Sequence, residues 1–337
     1  MMNEAAQENV EAAELERLHA ALLETRQSIG QMVLGQQGAI EQLLLSLIAG
    51  GHVLLEGTPG VGKTLLVKAL GAATGLSFAR IQFTPDLMPA DITGSMVLVP
   101  DANGHRTLQF EKGPVFSQIL LADEINRATP RTQSALLEAM QERTISAAGR
   151  SMDLPHPFFV LATQNPIEME GTYSLPEAQI DRFLFRIDIA YPTEDTYTSI
   201  LDLTTGTTQA RLDVTLPEAD ITALQTLVRS VPIAEHVRRC IAKLSLMTQP
   251  RSDQATKEVN RYVRFGLSPR GAQSLVLAAK AHALFAGRFN VSFEDVDAVL
   301  MPATRHRVQL NFEGAADGVS LEKLMADLFA DARRKVA

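Results

Sequence analysis

The sequence contains a single cysteine, Cys240, among its 337 residues. One thiol can form neither a disulfide within the chain nor a thiolate metal cluster, and the lack of cysteine pairs is compatible with a reducing cytoplasm. Cys240 lies in a helical pattern, so we interpret it as a buried residue without a chemical role. The sequence also lacks H-E-x-x-H and C-x-x-C patterns, and its seven histidines are scattered. A metal-dependent enzyme with a metal cage built by the protein is therefore not indicated.

No apolar run has the length that a membrane-spanning helix needs. The richest apolar stretch, residues 43–48, is interrupted by Ser46 and followed closely by Gly50, so it is too short to cross a bilayer. The first eleven residues carry three glutamates and no basic start followed by an apolar segment, which does not fit a secretory signal peptide. We therefore expect no membrane span and a cytoplasmic location.

Positive charge is in deficit. Lysine and arginine total 31 against 39 aspartates and glutamates, which gives a net charge of −8 and a pI of about 5.5. Indiscriminate binding of a phosphate backbone needs clustered cations, so nucleic acid is not the expected partner, although a local basic patch is compatible with this sum. The length suggests about two domains.

Short apolar segments alternate with helical patterns in the first part of the chain. Helices are predicted at 9–28 and 37–49, and an apolar strand at 52–56 runs into a glycine-rich turn and a helix at 63–73. Further buried strands are predicted at 79–83, 118–122, 157–162 and 184–189. Continuous apolar strands separated by helices indicate a parallel sheet that is covered by helices on both faces.

The strand pattern ends near residue 191, and the rest of the chain favours helices. From about residue 214 the patterns predict helices only, at roughly 217–229, 234–249, 268–286, 292–301 and 320–334. We therefore predict a leading helix at 1–28, an α/β domain at 29–208 and a small all-helical domain at 209–337. Residues 204–208 (TTGTT) are a plausible linker between the last two.

Two additional elements interrupt the alternation. Residues 95–110 read as a hairpin around Asn103 and Gly104, and residues 143–154 read as another around Ala148 and Gly149. Either hairpin could be an edge element that serves packing alone.

Residues 57–64 match the P-loop pattern G-x-x-x-x-G-K-[ST]. The loop consists of Gly57, Thr58, Pro59, Gly60, Val61, Gly62, Lys63 and Thr64, with a predicted strand before it and a predicted helix after it. The glycines allow the backbone N–H groups to curl around phosphate oxygens, and the helix directs its positive end at the same anion. Lys63 is expected to reach the β- and γ-phosphates of ATP and Thr64 to bind Mg²⁺. A tight turn without a ligand is the alternative.

An acidic pair, Asp123 and Glu124, follows the apolar strand at 118–122. Ligands of open α/β sheets bind at the carboxyl ends of the strands, so Asp123 is predicted to act on the bound Mg²⁺ and Glu124 to polarise the attacking water. A solvated turn or a helix cap is the alternative for the pair. A second acid favours hydrolysis over transfer of the phosphoryl group to a bound substrate, since a hydrolase needs a base for water.

Beyond these two motifs, the chain resembles the MoxR family of AAA+ ATPases. The similarity runs from about residues 33–36 (VLGQ) to Arg307. It is carried by residues 81–94 (IQFTPDLMPADITG), 123–128 (DEINRA), 133–142 (QSALLEAMQE), 162–166 (ATQNP) and 171–183 (GTYSLPEAQIDRF). The resemblance implies a P-loop sheet sandwiched by helices, followed by a helical lid.

The resemblance also implies three roles beyond the P-loop. Asn165 matches the sensor-1 residue that orients water near the γ-phosphate, and Arg182 matches the arginine finger that completes the ATP site of the adjacent subunit. Arg270 matches the sensor-2 arginine, which contacts the nucleotide from the lid. The alternatives are a turn asparagine before Pro166, a surface salt bridge for Arg182 and a helix-start arginine without a ligand for Arg270.

The two hairpins resemble inserts found in this family, in magnesium chelatase motor subunits and in MCM helicases. Residues 84–113 are similar to the helix-2 insertion and residues 143–154 to the hairpin before sensor 1; in such rings both commonly face the pore or the substrate. Four cations lie in or beside them, namely Arg106, Lys112, Arg143 and Arg150, and four scattered cations are more typical of a solvated surface than of a DNA track. Residues 305–307 (RHR) match the family's lid end and receive no catalytic role.

The resemblance implies an ATP-hydrolysing, Mg²⁺-dependent ring, with a hexamer expected because Arg182 can complete a site only in trans. Such a ring would remodel a protein client in a chaperone-like manner, often to insert a metal or cofactor. Family members commonly act with a partner that carries a von Willebrand A domain. Two other functions stay open at this stage: a nucleic-acid motor like MCM, and a nucleotide-gated switch with little turnover.

Overall fold

The computed structural model describes residues 2–100, 106–147, 149–164, 172–205 and 212–336. Up to residue 205 the elements are α1 (Met2–Met32), α2 (Gln37–Ile48), β1 (Val53–Glu56), α3 (Lys63–Thr74), β2 (Phe78–Gln82), α4 (Pro89–Thr93), β3 (Gly94–Pro100), β4 (Arg106–Lys112), β5 (Ile119–Asp123), α5 (Pro130–Glu142), β6 (Thr144–Ala147), β7 (Arg150–Asp153), β8 (Phe159–Gln164), α6 (Glu177–Ile180), β9 (Phe185–Asp188) and α7 (Glu194–Thr205). They are followed by α8 (Glu218–Ser230), α9 (Glu235–Met247), α10 (Lys257–Tyr262), β10 (Val263–Phe265), α11 (Pro269–Phe285), α12 (Phe293–Thr304), β11 (Gln309–Leu310), α13 (Phe312–Ala316) and α14 (Leu321–Arg334). Among the residues described, no helix is long and apolar enough to cross a membrane.

Five strands form one parallel sheet in the order β2-β5-β8-β1-β9. The three inner strands are buried along their apolar residues, and each ends in a more exposed polar residue: Glu56, Asp123 and Gln164. Because the strands are parallel, these polar ends emerge at the same edge of the sheet. The prediction of a helix-covered parallel sheet followed by a helical region is confirmed.

The sheet is buried on both faces, and its inner strands are apolar along most of their length. Alternate residues of β1 enter different cores: Val53 and Leu55 belong to the core that continues into α1, α2, α3 and the C-terminal helices, whereas Leu54 packs in the core under α5. Side chains that alternate between two buried faces require continuous apolar runs. This requirement explains why the strands could be recognised in the sequence.

Both predicted hairpins are present as antiparallel pairs. Strands β3 and β4 pair with Leu98 opposite Leu108, and the predicted turn residues Asn103 and Gly104 lie outside the described residues. Strands β6 and β7 pair across a turn in which Gly149 has a φ of 74°. The other predicted turn residue, Ala148, also lies outside the described residues.

The C-terminal region contains a strand pair that the sequence patterns did not predict. Strands β10 and β11 pair in antiparallel fashion, with Val263 opposite Leu310, so the prediction of helices only was wrong there. The two strands are three and two residues long and lie more than forty residues apart, which leaves no alternation to detect. Of the predicted linker, Thr204 and Thr205 belong to α7 and the remainder lies outside the described residues.

The buried position predicted for Cys240 is confirmed. Burial raises the pKa of its thiol to about 11. Because the thiolate is the reactive form of cysteine, a thiol with this pKa stays protonated and unreactive at neutral pH.

His52 precedes β1 and is buried between the sheet and α5. Its Nε2 lies 3.2 Å from the carbonyl of Met140, and its Nδ1 accepts the N–H of Val160 at 3.0 Å. Only the neutral ring, protonated at Nε2, satisfies both contacts. Burial lowers the pKa of His52 to about 4, from an ordinary value of 6.5.

We expect His52 to make the stability of the protein depend on pH. Between pH 6.5 and pH 4 the unfolded chain binds a proton at residue 52 and the folded chain does not, so stability falls as the pH falls. His52 contributes about 1.4 kcal/mol per pH unit to the dependence of the free energy of unfolding on pH. Urea unfolding at several pH values should show a dependence of stability on pH that is shallower by about this amount for His52→Gln than for the unchanged protein. Equal slopes for His52→Gln and the unchanged protein would contradict the assignment.

Candidate functional site

The P-loop connects β1 to α3 at the carboxyl edge of the sheet. Gly60 and Gly62 have φ values of 84° and 88°, in the left-handed region that favours glycine. Gly62 is the N-cap of α3, which begins at Lys63. The first N–H groups of this twelve-residue helix have no partner within the helix, so they and the helix dipole form an anion-binding end.

The side chain of Lys63 lies across the loop. Its ammonium group donates to the carbonyl of Gly57 at 2.5 Å, and Lys63 also lines the cavity described below. The hydroxyl of Thr58 is buried, has no hydrogen-bond partner among the described residues and does not line that cavity.

Asp123 is the last residue of β5 and lies beside the loop. Its Oδ1 accepts the hydroxyl of Thr163 at 2.6 Å, and its Oδ2 pairs with Nη2 of Arg80 at 2.6 Å. Thr163 lies on the neighbouring strand β8 and also accepts the N–H of Glu124 at 2.8 Å. One buried hydroxyl therefore orients both members of the acidic pair.

Glu124 has a left-handed backbone, with φ 56° and ψ 49°, which turns the chain sharply after β5. Its carboxylate accepts Nε2 of Gln82 at 2.7 Å and pairs with Nη1 of Arg127 at 2.9 Å. Both donors contact the same carboxylate oxygen, Oε2. Strand β2 and the turn after β5 therefore fix the position of this carboxylate beside the loop.

A cavity of about 350 Å³ collects residues of both predicted motifs. Its lining is Pro59, Gly60, Gly62, Lys63, Thr64, Leu65, Asp123, Glu124 and Thr163. A hydroxyl and a carboxylate beside a phosphate-binding loop fit Mg²⁺, which is usually held by one or two carboxylates together with substrate phosphates and water. Within the described residues, no group of three His, Cys, Asp or Glu side chains could hold a metal by itself, so the phosphates would have to complete the coordination.

A second cavity of about 680 Å³ shares Pro59, Gly60, Gly62 and Leu65 with the first. Its other walls are largely apolar or aromatic and include Val33, Leu34, Tyr191, Tyr197, Ile200 and Leu203. An apolar slot that opens onto a phosphate site fits the base and ribose of a nucleotide. The sequence reasoning missed this slot, because its walls come from the start of the α/β region and from α7; the similarity that begins at residue 33 was the one available signal.

Two predicted residues do not line these cavities, and a third lies outside the described residues. Neither Arg182 nor Arg270 is among the described residues that line the two cavities. Arg182 lies between α6 and β9, with a buried Nε that has no hydrogen-bond partner in the described part of the chain. Arg270 is exposed in the first turn of α11. Asn165 lies outside the described residues, directly after the last residue of β8.

Four further residues at the site were not predicted from the sequence: Arg80, Gln82, Arg127 and Thr163. The position of Thr163 could have been inferred from the sequence, since a polar residue near the carboxyl end of an apolar strand lies at the same edge of the sheet as the acidic pair. Arg80 and Gln82 reach the acidic pair because β2 pairs with β5, with Gln82 opposite Asp123. Arg127 reaches Glu124 because the chain turns after β5. Neither the pairing nor the turn can be read from composition.

Comparisons with known proteins agree with this geometry. Residues 52–185 match the ATPase family associated with various cellular activities (AAA), and residues 255–328 match the AAA lid domain. The chain is 40% identical to Chaperone MoxR1 of Mycobacterium tuberculosis over 92% of this chain and 80% of that protein. It is 36% identical to Protein MoxR of Paracoccus denitrificans over 87% and 90%.

A solved structure is similar over nearly the whole length. The crystal structure of a candidate ATPase from Cytophaga hutchinsonii superposes with a TM-score of 0.88 at 35% sequence identity and covers 98% of both chains. The curated relatives, the two family matches and this structure agree with the parallel sheet and the helical C-terminal region described above. The chain therefore belongs to the MoxR family of AAA+ ATPases.

Proposed function

We propose that this ATPase works as a Mg²⁺-dependent ring, with a hexamer expected, that remodels protein clients in a chaperone-like manner. The observation that carries the proposal is the division of the predicted catalytic residues. Lys63, Thr64, Asp123 and Glu124 line one cavity, whereas Arg182 lines neither cavity among the described residues. In the proposed ring, Arg182 completes the ATP site of an adjacent subunit, as the resemblance to the family implies.

Each residue has a separate task in the proposed reaction. The loop and Lys63 bind the triphosphate, and Thr64 and Asp123 hold Mg²⁺, which neutralises charge on the phosphates when bound. Glu124 accepts a proton from the attacking water, which Asn165 orients. Arg182 of a neighbouring subunit offsets the charge of the transition state, and Arg270 contacts the nucleotide from the lid.

The β3–β4 hairpin supports a protein client over a nucleic acid. Leu98 and Leu108 lie opposite each other and are 60% and 65% exposed, and exposed apolar patches mark interaction sites. Two of the four cations in or beside the two hairpins have partners within the chain. Lys112 of β4 lies over the ring of Phe116, and Arg143, which precedes β6, donates to the carbonyl of Gly50 at 3.0 Å. We propose that the hairpin touches the client.

The chaperone assignment draws on the relatives, one of which is a chaperone by name. A partner with a von Willebrand A domain is proposed on the resemblance to the family, as is metal or cofactor insertion into the client.

Client capture by Glu124→Gln, which should retain ATP, tests this proposal. We expect this variant to recover a client and a von Willebrand A protein, identified by mass spectrometry, in an ATP-dependent manner. Adding Leu98→Ser and Leu108→Ser should remove the client, whereas Leu246→Ser, which changes an exposed leucine in the helical region, should not. Undiminished recovery after the hairpin change would reject the client site. DNA binding that weakens steeply with salt would favour the nucleic-acid motor instead.

A further inference from the structure

Residues 305–307 follow α12 and pack against the segment that contains Arg182. The sequence predicts no catalytic role for this Arg-His-Arg element. Arg307 is 2% exposed along its side chain and extends from the helical region into the α/β region. A buried guanidinium must have its N–H groups satisfied by fixed partners, and the identity of those partners shows what it holds in place.

The partners of Arg307 lie on both sides of Arg182. Its Nη2 donates to the carbonyl of Asp181 at 3.0 Å and to the carbonyl of Phe183 at 2.6 Å. Its Nε pairs with Oδ1 of Asp181 at 2.6 Å, and its Nη1 donates to the carbonyl of Leu184 at 3.0 Å. The carbonyls of the two residues on either side of Arg182 are therefore held by one guanidinium of the lid. His306 adds a contact from its Nε2 to the carbonyl of Phe183 at 3.0 Å.

The other carboxylate oxygen of Asp181 connects to the helix that carries Arg270. The hydroxyl of Ser268 donates to Oδ2 of Asp181 at 2.7 Å and accepts the N–H of Gly271 at 3.0 Å, so Ser268 is the N-cap of α11. A Cβ at Gly271 would lie 2.8 Å from Cδ of Arg307, which shows how closely α11 packs on this arginine. Asp181 thus joins the start of α11 to the segment of Arg182.

A parallel contact reaches the P-loop of the same chain. Arg305 pairs with Asp188, Asp188 pairs with Arg186 at 3.1 Å, and Arg186 pairs with Glu56 at 2.6 Å. Glu56 is the last residue of β1 and immediately precedes Gly57. The Arg-His-Arg element therefore contacts both the segment of Arg182 and the strand that leads into the phosphate site.

We infer that Arg307 and Asp181 are positioning residues that fix Arg182 to the lid of its own subunit. This inference rests on the proposed role of Arg182 in trans. Asp181 joins the start of α11 to this segment, and Arg307 holds the backbone on both sides of Arg182, which is a rigid connection because the guanidinium fork is planar.

Mixed rings test the inference by restricting hydrolysis to one kind of interface. Donor subunits carry Glu124→Gln, so they offer Arg182 but hydrolyse no ATP; acceptor subunits carry Arg182→Ala, so they hydrolyse ATP only beside a donor. Arg307→Lys in the donor should lower the kcat of the mixture by about 10²-fold, the loss expected from misplacement by about 1 Å, without a comparable rise in the KM for ATP. Arg307→Lys in the acceptor should leave kcat close to that of the mixture in which Arg307 is unchanged, because the acceptor has no Arg182 to position.

Asp181→Asn should show the same donor-only loss, and it replaces Arg307→Lys if circular dichroism shows that the lysine variant is unfolded. Arg261→Lys is the matched control, because Arg261 pairs on the surface of the same region with Glu313 and Asp317; it should change neither arm. Equal losses in donor and acceptor would indicate a purely structural role and overturn the inference, as would an unchanged kcat in both. An unsubstituted mixture without turnover would instead reject the trans role of Arg182, and the inference with it.

Discussion

Replacing Arg182 by alanine should leave ATP binding intact and slow hydrolysis by about 10³–10⁵-fold, the effect of removing such an arginine in other phosphate-hydrolysing enzymes. The loss follows from its position. Arg182 lines neither nucleotide cavity of its own chain among the described residues, and its buried Nε has no partner there. Binding within one subunit should therefore not need it, whereas the transition state formed in the adjacent subunit should.

The measurement is phosphate release under saturating ATP, together with the affinity for a fluorescent ATP analogue. Mixing the Arg182→Ala and Glu124→Gln proteins should restore part of the turnover, since some interfaces then contain an intact Arg182 and an intact Glu124. Arg239→Ala, which removes an exposed arginine paired with Glu235, should keep full activity. Arg182 would act within its own chain, or not at all, if the mixture gained no turnover and if light scattering found a monomer in every nucleotide state.

Replacing Glu124 by glutamine should slow hydrolysis by about 10²–10⁴-fold, the usual contribution of a general base, and should leave ATP bound. The amide keeps the shape of the side chain but cannot take a proton from water. Asp123 and Thr64 are unchanged, so the predicted Mg²⁺ ligands remain. Single-turnover and steady-state phosphate release should both fall, and the affinity for ATP should not.

Two comparisons make the result specific. Glu138→Gln, at an exposed position on α5, is the matched control and should hydrolyse ATP normally. Lys63→Ala should lose ATP binding itself, because it removes the ammonium group at the phosphate loop, and retained affinity would mean that the loop is misassigned. Full turnover in Glu124→Gln would show that another group activates the water. Turnover too low to measure in the unsubstituted protein would favour the nucleotide-gated switch.

Both members of the acidic pair are held by hydrogen-bond donors of the same chain. Gln82 and Arg127 hold the carboxylate of Glu124 at 2.7 and 2.9 Å, and Arg80 pairs with Asp123. Both acids are thus engaged by donors that a bound Mg²⁺–ATP would compete with.

The sequence by itself determined the sheet, the phosphate loop and the acidic pair, because each depends on local order. Continuous apolar runs predict strands that are buried on both faces, and the first residue after such a run must emerge at the carboxyl edge. The spacing of glycine, Lys63 and Thr64 is likewise a property of eight consecutive residues. These signals remain readable without any knowledge of which strands are neighbours.

Only the tertiary structure decided what surrounds those motifs, since the contacts join residues that are far apart in the chain. The strand order places β8 beside β5, which brings Thr163 to Asp123 across 40 positions. The apolar slot is closed by α7, and β10 and β11 pair across an intervening stretch of helices. Arg307 reaches Asp181 across 126 positions. No local pattern encodes a hydrogen bond over such a separation, because its partners are selected by the packing of whole elements and not by their neighbours in sequence.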